Sequence, residues 1–167
     1  IVSHDDNDHA GGVSKVSQTL GIGVTQSGMP AALSIPAEFC KPGMTWSWDG
    51  IEFAYIHPEP ATNATDNDRS CVLEVRSSQC SLLITGDAGL KVETQLAESL
   101  SPVSWLVAGH HGSRTSTGDT LLDAAKPDSV LVSAGFLNRY GHPHADVVSR
   151  IKAHGSRIIR TDKKGAV

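Results

Sequence analysis

Short apolar runs separated by polar segments recur along the chain, and in its first half they alternate with the two-residue period of β-strands. Residues 44–58 (MTWSWDGIEFAYIHP) alternate on both sides of Asp49-Gly50. Residues 70–87 form a second pair of runs that ends in Thr-Gly-Asp. An Asp-Gly step between two alternating runs is typical of a two-residue hairpin turn. Two hairpins are therefore predicted, joined by a polar loop over residues 58–68.

Before these hairpins, residues 1–12 predict the end of a buried strand, a polar loop and a helix that opens at Gly11-Gly12 and runs to residue 20. A second short strand is predicted within residues 21–28.

After Asp87 the pattern changes to helices that alternate with buried strands. Strands are predicted within 104–109, 129–135 and 156–162, and helices within 91–100, 120–126 and 144–155. Hairpins followed by alternating strands and helices are typical of an α/β (α+β) fold, in which helices cover a sheet.

Composition narrows the class of protein. A chain of 167 residues is enough for one domain and hardly enough for two, so a single domain over 1–167 is predicted. No apolar run approaches the roughly 20 residues of a membrane span, and no signal peptide is visible. The net charge of −4 argues against a strongly basic nucleic-acid-binding surface.

Histidines and aspartates follow directly on three of the predicted strands. His4 to His9 follow the run IVS, Asp87 follows LLIT, and the pair His110 and His111 follows WLVAG. Strands of one sheet that end in polar residues at the same edge bring those residues together. Histidine and carboxylate are ligands for zinc, manganese or iron, so a metal site is predicted at this edge.

These residues resemble the metallo-β-lactamase superfamily. The resemblance is carried by H-x-D-x-D-H (His4, Asp6, Asp8, His9) with Gly11-Gly12, by LLITGD and by AGHHGS. Asp6 stands where the family pattern usually has a histidine. The chain looks most like the C-terminal domain of ComEC-type competence proteins, the inner-membrane channels of DNA uptake, also through WSWDGIEFAYIHP, NDRSCVLEV, NRYGHP and RTDKKGAV. This implies an αββα sandwich, and the resemblance predicts that its first strands are missing here, as in an N-terminally truncated domain.

The resemblance implies a site for two divalent metal ions. His4 and Asp6 would bind one ion, and Asp8 and His9 the other, together with His110, which is favoured over His111. Asp87 would bridge both ions. The family usually has another histidine before the strand at Ser70, where this chain offers Asp66 or Asp68. Aspartate in place of histidine favours harder ions, so manganese is expected, with zinc or magnesium as alternatives.

The implied activity is that of a metal-dependent nuclease, a phosphodiesterase that hydrolyses DNA, in particular the non-transported strand, with a metal-activated water. Asp8, His142 and Ser113 are the candidate catalytic residues. His142 would be the acid for the leaving oxygen or a phosphate contact, and otherwise a turn residue before a proline. Ser113 would hydrogen-bond phosphate or cap its turn.

Further residues have two interpretations. Ser116 follows Ser113 as a weaker candidate. Arg114 and Arg139 would neutralise backbone phosphate or be solvated surface residues. Trp46 and Trp48 share one face of a strand, as a stacking platform for bases or, more in keeping with a hairpin, as packing residues.

In the competence-protein resemblance, this domain is soluble and lies on the extracytoplasmic (periplasmic) side of the inner membrane, where disulfides persist. Cys40 precedes the first hairpin and Cys71 begins the second, so a Cys40–Cys71 disulfide is predicted if the hairpins are neighbours. Cys80 has no obvious partner.

The implied partners are DNA, single-stranded or duplex, the transmembrane channel and OB-fold domain of the same protein, and other competence proteins, with no small-molecule cofactor. A non-catalytic module that guides DNA, with a degraded metal site, is the alternative. A hydrolase of another substrate, such as a phosphorylcholine ester or a lactone, is a third interpretation.

Overall fold

The computed structural model describes residues 1–60 and 64–165, and its largest element is a seven-stranded sheet. Two short strands, β1 (Gln26–Ser27) and β2 (Glu38–Phe39), pair separately in parallel. The large sheet has its strands side by side in chain order. These strands are β3 (Thr45–Trp48), β4 (Ile51–His57), β5 (Val72–Arg76), β6 (Ser81–Ile84), β7 (Trp105–Val107), β8 (Ser129–Val132) and β9 (Arg157–Arg160).

The sheet changes from antiparallel to parallel at β6. Strands β3 to β6 pair antiparallel, whereas β6 to β9 pair parallel. The predicted hairpin at Asp49-Gly50 is confirmed, and both turn residues have positive φ (50° and 76°), as a two-residue turn of the favoured hand requires. Each parallel step needs a crossover, and the helices supply it.

Three helices cover one face of the sheet. They are α3 (Leu90–Ala97), α4 (Asp119–Ala125) and α5 (Ala145–Ala153), all within the ranges predicted from periodicity or one residue beyond them. Their apolar stripes meet the central strands, where Leu83, Leu106 and Val130 are fully buried. This layer is the main hydrophobic core.

The opposite face carries a smaller cluster around a disulfide. Cys40 and Cys71 are bonded, with Cα atoms 6.0 Å apart, which confirms the predicted pairing. Cys80 is free and exposed. Tyr55 and Leu73 are buried beside the disulfide, and partly buried apolar side chains surround them. Burial raises the pKa of Tyr55 to about 12.

The two tryptophans of the first hairpin have different environments. Trp46 stacks on Phe53 (ring centroids 5.0 Å apart, planes at 2°) and packs against the disulfide cluster. Trp48 is 71% exposed. The packing interpretation therefore holds for Trp46, whereas the indole of Trp48 is largely exposed to solvent.

The N-terminal prediction needs correction. The strand expected over the first residues is a single bridge between Val2 and Ser27, because the chain turns away after Ser3. The expected polar loop contains a short helix, α1 (Asn7–Ala10), and the next helix, α2 (Val13–Thr19), begins after Gly11-Gly12.

Other boundaries differ as well. Strand β2 was not predicted, and the last predicted strand ends early because Thr161–Lys164 forms a helix, α6. Residues 61–63 of the predicted polar loop and residues 166–167 lie outside the described residues. Among the helices of the described residues, none is long and apolar enough to cross a membrane.

Candidate metal centre

The predicted ligands meet at one edge of the sheet, beside the ends of β6 and β7. Asp87 follows β6, and His110 and His111 lie in a turn directly after β7. The N-terminal segment is tied to the same edge through Ser3, whose carbonyl oxygen accepts hydrogen bonds from the backbone of Gly28 (3.2 Å) and Cys71 (3.0 Å). Residues far apart in sequence thereby converge.

Asp87 lies at the centre of the cluster. Its carboxylate is 3.2 Å from His9 Nε2, 3.6 Å from His110 Nε2 and 4.0 Å from His4 Nε2. The Asp87 side chain is only 4% exposed. A carboxylate within reach of three imidazoles is suited to a bridging position, as predicted for it.

A second carboxylate, that of Asp8, lies at the outer side of the cluster. Asp8 Oδ2 is 3.1 Å from His111 Nε2 and 3.9 Å from His9 Nε2. Asp6 Oδ2 is 3.4 Å from His4 Nε2. The structure thus brings all seven predicted ligands together: His4, Asp6, Asp8, His9, Asp87, His110 and His111.

Five of the seven side chains form two overlapping groups of possible ligands, and Asp6 and His110 lie beside them. One consists of His4, His9 and Asp87, and the other of Asp8, His9 and His111. His9 belongs to both groups, whereas the family resemblance implies that it binds a single ion. The two histidines after β7 have different carboxylate partners. His110 faces Asp87, whereas His111 faces Asp8.

All four histidines present Nε2 to the cluster and bond other groups through Nδ1. His111 Nδ1 donates to the carbonyl oxygen of Ser133 (2.8 Å), which leaves the Nε2 lone pair of the neutral ring free for a metal. The other Nδ1 contacts are His4 with Ser3 Oγ (3.0 Å) and Ser70 Oγ (3.3 Å), His9 with Ser3 Oγ (3.0 Å), and His110 with Thr115 Oγ1 (3.1 Å) and Asn67 Nδ2 (3.3 Å).

The donor atoms suit a divalent cation. Within residues 1–60 and 64–165, His4 Nε2 and His9 Nε2 are buried side-chain atoms that have no hydrogen-bond partner. Buried polar atoms are nearly always satisfied, so two unpaired imidazole nitrogens beside Asp87 need an explanation. Coordination to a metal ion supplies one, and the mixture of nitrogen and carboxylate oxygen is a usual ligand set for such ions.

The electrostatics of the cluster are strongly coupled. Burial lowers the pKa of His4, and the neighbouring His9 lowers it further. The Asp87 carboxylate, 3.2 Å away, raises the pKa of His9. Burial acts to raise the pKa of Asp87, but His9, His110 and His111 outweigh it, so the pKa of Asp87 is lowered. Asp87 therefore stays ionised and His4 stays neutral at neutral pH, as metal ligands must.

The turn that carries His110 and His111 has an unusual backbone. Both residues have positive φ (46° and 55°), a conformation that costs free energy for a residue with a side chain. Gly109 precedes them, and a Cβ there would lie 2.9 Å from Ser116 Cβ. The surrounding structure must therefore hold this turn in place.

The buried carboxylate of Glu93, on α3, anchors the loop that holds the turn. It is 1% exposed and accepts hydrogen bonds from the backbone N–H groups of Thr117 (2.5 Å) and Gly118 (2.8 Å). Thr117 Oγ1 in turn accepts the N–H of Gly109 (3.0 Å). Burial raises the pKa of Glu93 to about 7, against the effect of these hydrogen bonds. Glu93 therefore links the helical layer to the histidine turn.

Other predicted residues lie near the cluster without joining it. Ser113 Oγ pairs with Thr115 Oγ1 (3.0 Å), which matches the turn-capping alternative. Ser116 Oγ donates to the carbonyl oxygen of Ala88 (2.9 Å) and is fully buried. The guanidinium of Arg114 is paired with Asp146 (2.9 Å). These contacts give Ser116 and Arg114 structural partners.

Asp66 and Asp68, predicted to replace the family histidine that this chain lacks, also lie outside the cluster. Asp68 Oδ1 accepts the N–H of Gly89 (3.0 Å), and neither Asp66 nor Asp68 belongs to the two ligand groups. Asn67, between them, contacts His110 instead. The short 3-10 turn over Asn67–Arg69 explains this, because it directs adjacent side chains to different sides.

His142 contacts the metal-ligand cluster from outside, next to His110 and His111. Its ring centroid is 5.7 Å from that of His110 and 6.4 Å from that of His111. Burial lowers the pKa of His142, and the neighbouring histidines, first His144, lower it further. A neutral imidazole at this position can donate a hydrogen bond to a substrate oxygen.

A family model described as the metallo-beta-lactamase superfamily matches residues 1–135, which include every ligand of the cluster. The chain belongs to the metallo-β-lactamase superfamily. The predicted fold class is thereby confirmed.

Curated relatives agree with the resemblance to competence proteins. The chain is 37% identical over its whole length to competence protein ComA of Neisseria gonorrhoeae and 36% identical to recombination protein 2 of Haemophilus influenzae. It spans only 24% and 21% of those proteins, so it matches a part of each.

Among solved structures, the fold is similar to that of CmlA, a diiron beta-hydroxylase from Streptomyces venezuelae. The TM-score is 0.62 at 16% identity, and the match covers 95% of this chain and 42% of CmlA. At this identity the likeness concerns the fold.

Proposed function

We propose that this chain is a metal-dependent nuclease domain that hydrolyses DNA as part of a DNA-uptake protein. One observation carries the proposal: seven histidine and aspartate side chains meet in one cluster with Asp87 at its centre, and four imidazole Nε2 atoms are directed into it. The names of the relatives, a competence protein and a recombination protein, support DNA as the substrate.

A pair of divalent cations bound here would activate a water molecule and stabilise charge on a phosphodiester. His9 would contact both positions, since it belongs to both ligand groups, and Asp87, which lies within 4.0 Å of three imidazoles, would bridge them. Asp6, Asp8 and Asp87 supply three carboxylates, and carboxylate oxygen suits manganese better than zinc. Manganese is therefore the proposed ion.

The groups around the cluster would position the substrate. His142, neutral at neutral pH because of its lowered pKa, would donate a hydrogen bond to a phosphate oxygen rather than supply a proton to the leaving group. Ser113 is held by Thr115 and is not proposed as a catalytic residue.

The cellular setting is part of the proposal. The domain would lie on the periplasmic side of the inner membrane, beside the membrane channel and OB-fold domain of the same protein. The Cys40–Cys71 disulfide favours an oxidising compartment. The net charge of −4 implies weak, salt-sensitive affinity for DNA, so neighbouring domains would deliver the strand.

The test is cleavage of an end-labelled single strand with manganese, magnesium, zinc or a chelator, beside calorimetric titration of manganese. We expect metal-dependent cleavage that falls more than about 100-fold in Asp8→Asn, since losing a ligand costs at least as much as losing its supporting partner. Manganese affinity should fall in the same variant.

The matched control is Asp123→Asn, a change to an exposed carboxylate on α4 that pairs with His154 outside the cluster. It should cleave and bind manganese as the wild type does. Manganese binding without cleavage by any metal would contradict the nuclease proposal and favour a module that guides DNA.

A further inference from the structure

A loop next to the candidate metal centre displays large apolar side chains to solvent. It spans residues 135–141, between β8 and α5, and is called here the aromatic loop. Phe136 is 78% exposed, Leu137 85% and Tyr140 60%. Three such side chains on seven residues form an apolar patch whose exposure the fold does not explain.

Hydrogen bonds of Asn138 close the aromatic loop on itself and onto His142. The side-chain amide of Asn138 donates to the carbonyl oxygens of Gly135 (3.0 Å) and His142 (2.7 Å), and its oxygen accepts the N–H of His142 (2.9 Å). Leu137 has a positive φ of 52°. The asparagine thus directs the polar groups inward and the apolar side chains outward.

A row of contacting rings connects the aromatic loop to the metal ligands, edge to face between His142 and His110 and stacked between Tyr140 and His142. His142 lies against His110 with ring centroids 5.7 Å apart, and Tyr140 stacks on His142 at 5.7 Å with planes at 24°. The guanidinium carbon of Arg139 lies 4.8 Å from the centre of the Tyr140 ring. A polymer held at the ligands would therefore extend over the aromatic loop.

The charge of the aromatic loop favours a phosphate-bearing partner. Arg139 is its only charged residue, in a chain whose net charge is −4. Open aromatic faces beside a cation are the elements with which proteins bind single strands: unpaired bases stack on the rings while the cation neutralises the backbone. A duplex, whose bases are already stacked, has no face to offer.

We propose that the aromatic loop is a base-stacking surface for a single strand of DNA, with Phe136 and Leu137 contacting unpaired bases and Arg139 contacting the backbone. This inference rests on the proposed function for its substrate class. It assigns to the aromatic loop the role of holding the strand that enters the metal centre.

The test measures strand binding without cleavage, by fluorescence anisotropy in the presence of a chelator. The probes are a labelled oligothymidine and an abasic strand of equal length, which share phosphates but differ in bases. Phe136→Ala should weaken binding of oligothymidine about 5- to 100-fold, as loss of one stacked base predicts, and change abasic binding less than twofold. Phe136→Trp, which keeps a ring, should bind oligothymidine as the wild type does.

Two further variants sharpen the result. Leu20→Ala removes an exposed apolar side chain at the end of α2 and should leave both affinities unchanged. Arg139→Gln should weaken both strands alike and reduce the salt dependence by about one phosphate contact.

The inference is overturned if the wild type binds neither strand, or if Phe136→Ala binds both as the wild type does. If Phe136→Ala weakens binding of oligothymidine and of the abasic strand equally, base stacking is also contradicted. Cosedimentation with phosphatidylglycerol vesicles is measured on the same variants. If Phe136→Ala weakens binding to the vesicles but binds both strands as the wild type does, the loop is a membrane contact and the inference is wrong. Because binding is read without metal, failure of cleavage alone would remove the nuclease proposal and leave this one standing.

Discussion

At the residue scale, the histidines of the metal centre depend on small polar neighbours. Ser3 contacts Nδ1 of both His4 and His9, while a backbone carbonyl holds His111. Such contacts fix which ring nitrogen carries the proton and how the ring is turned. The affinity of the site for a metal is therefore set partly by residues that never touch the ion.

Thr115 provides a test of this dependence. Thr115→Val removes the hydroxyl 3.1 Å from His110 Nδ1 but keeps the shape of the side chain. We expect manganese affinity, measured by calorimetry, to fall about tenfold, at the low end of the usual range because Asn67 retains its contact.

The matched change is Thr94→Val on the exposed side of α3, where the hydroxyl donates to the carbonyl oxygen of Leu90 (2.8 Å), away from the metal centre. It should leave manganese affinity unchanged. An unchanged affinity in Thr115→Val would show that the orientation of His110 does not depend on this hydroxyl.

The ligands could be predicted from the sequence, but their supports could not. His4, Asp87 and His110 stand directly after apolar runs, which is a readable pattern. Thr115 and Ser133 carry no such signal, because serine and threonine are common in any loop and their contacts arise only from the fold.

At the element scale, the contact between α3 and the 117–118 loop carries a pH dependence. Glu93 has its pKa raised to about 7 from an ordinary 4.5. As pH rises from 4.5 to 7, the unfolded chain loses this proton while the folded chain keeps it. The folded state therefore loses stability over this window, by up to about 3 kcal/mol.

Glu93→Gln should abolish this part of the pH dependence. We expect the free energy of unfolding of the wild type, relative to the variant, to fall by about 2–3 kcal/mol between pH 5 and pH 8. Urea titrations at four pH values in that range measure the difference. The variant is less stable overall below the window, because an amide NH₂ would face a backbone N–H.

Glu98→Gln, at the exposed end of α3, serves as the control and should follow the wild type at every pH. A constant difference between wild type and Glu93→Gln would mean that Glu93 does not titrate in this window.

Elements with strong patterns were predicted, and those defined by tertiary contacts were not. The hairpins, α3, α4 and α5 follow from periodicity. In contrast, α1 lies in a polar segment whose helical turn forms against Asp87 and His111, and β2 is two residues long. The local sequence of such short elements has little preference for helix or strand, so they cannot be predicted from it.

At the scale of the whole molecule, the two faces of the sheet are stabilised differently. One face has the large helical core, whereas the other has the small cluster around Cys40 and Cys71. A small core gains from a crosslink that restricts the unfolded chain. The disulfide is therefore expected to contribute a large part of the stability of this face of the sheet.

Replacing both bonded cysteines with alanine should lower the free energy of unfolding by about 3–4 kcal/mol, the loop-closure value for a separation of 31 residues. Cys80→Ala, an exposed change, should stay within about 0.5 kcal/mol of the wild type. Urea unfolding of the three proteins gives both values. Thiol titration of the unfolded, unreduced wild type should return one thiol, and three thiols would contradict the pairing.

The distance along the chain between the ligands has a consequence for the order of folding. Asp8 and His111 are 103 residues apart, and His111 follows β7, which pairs in parallel with β6 and β8. Closing so long a loop is entropically costly, and non-local parallel pairing forms slowly. We therefore expect the metal centre to be completed late in folding, so that tight metal capture would report a finished domain and distinguish it from a partly folded form.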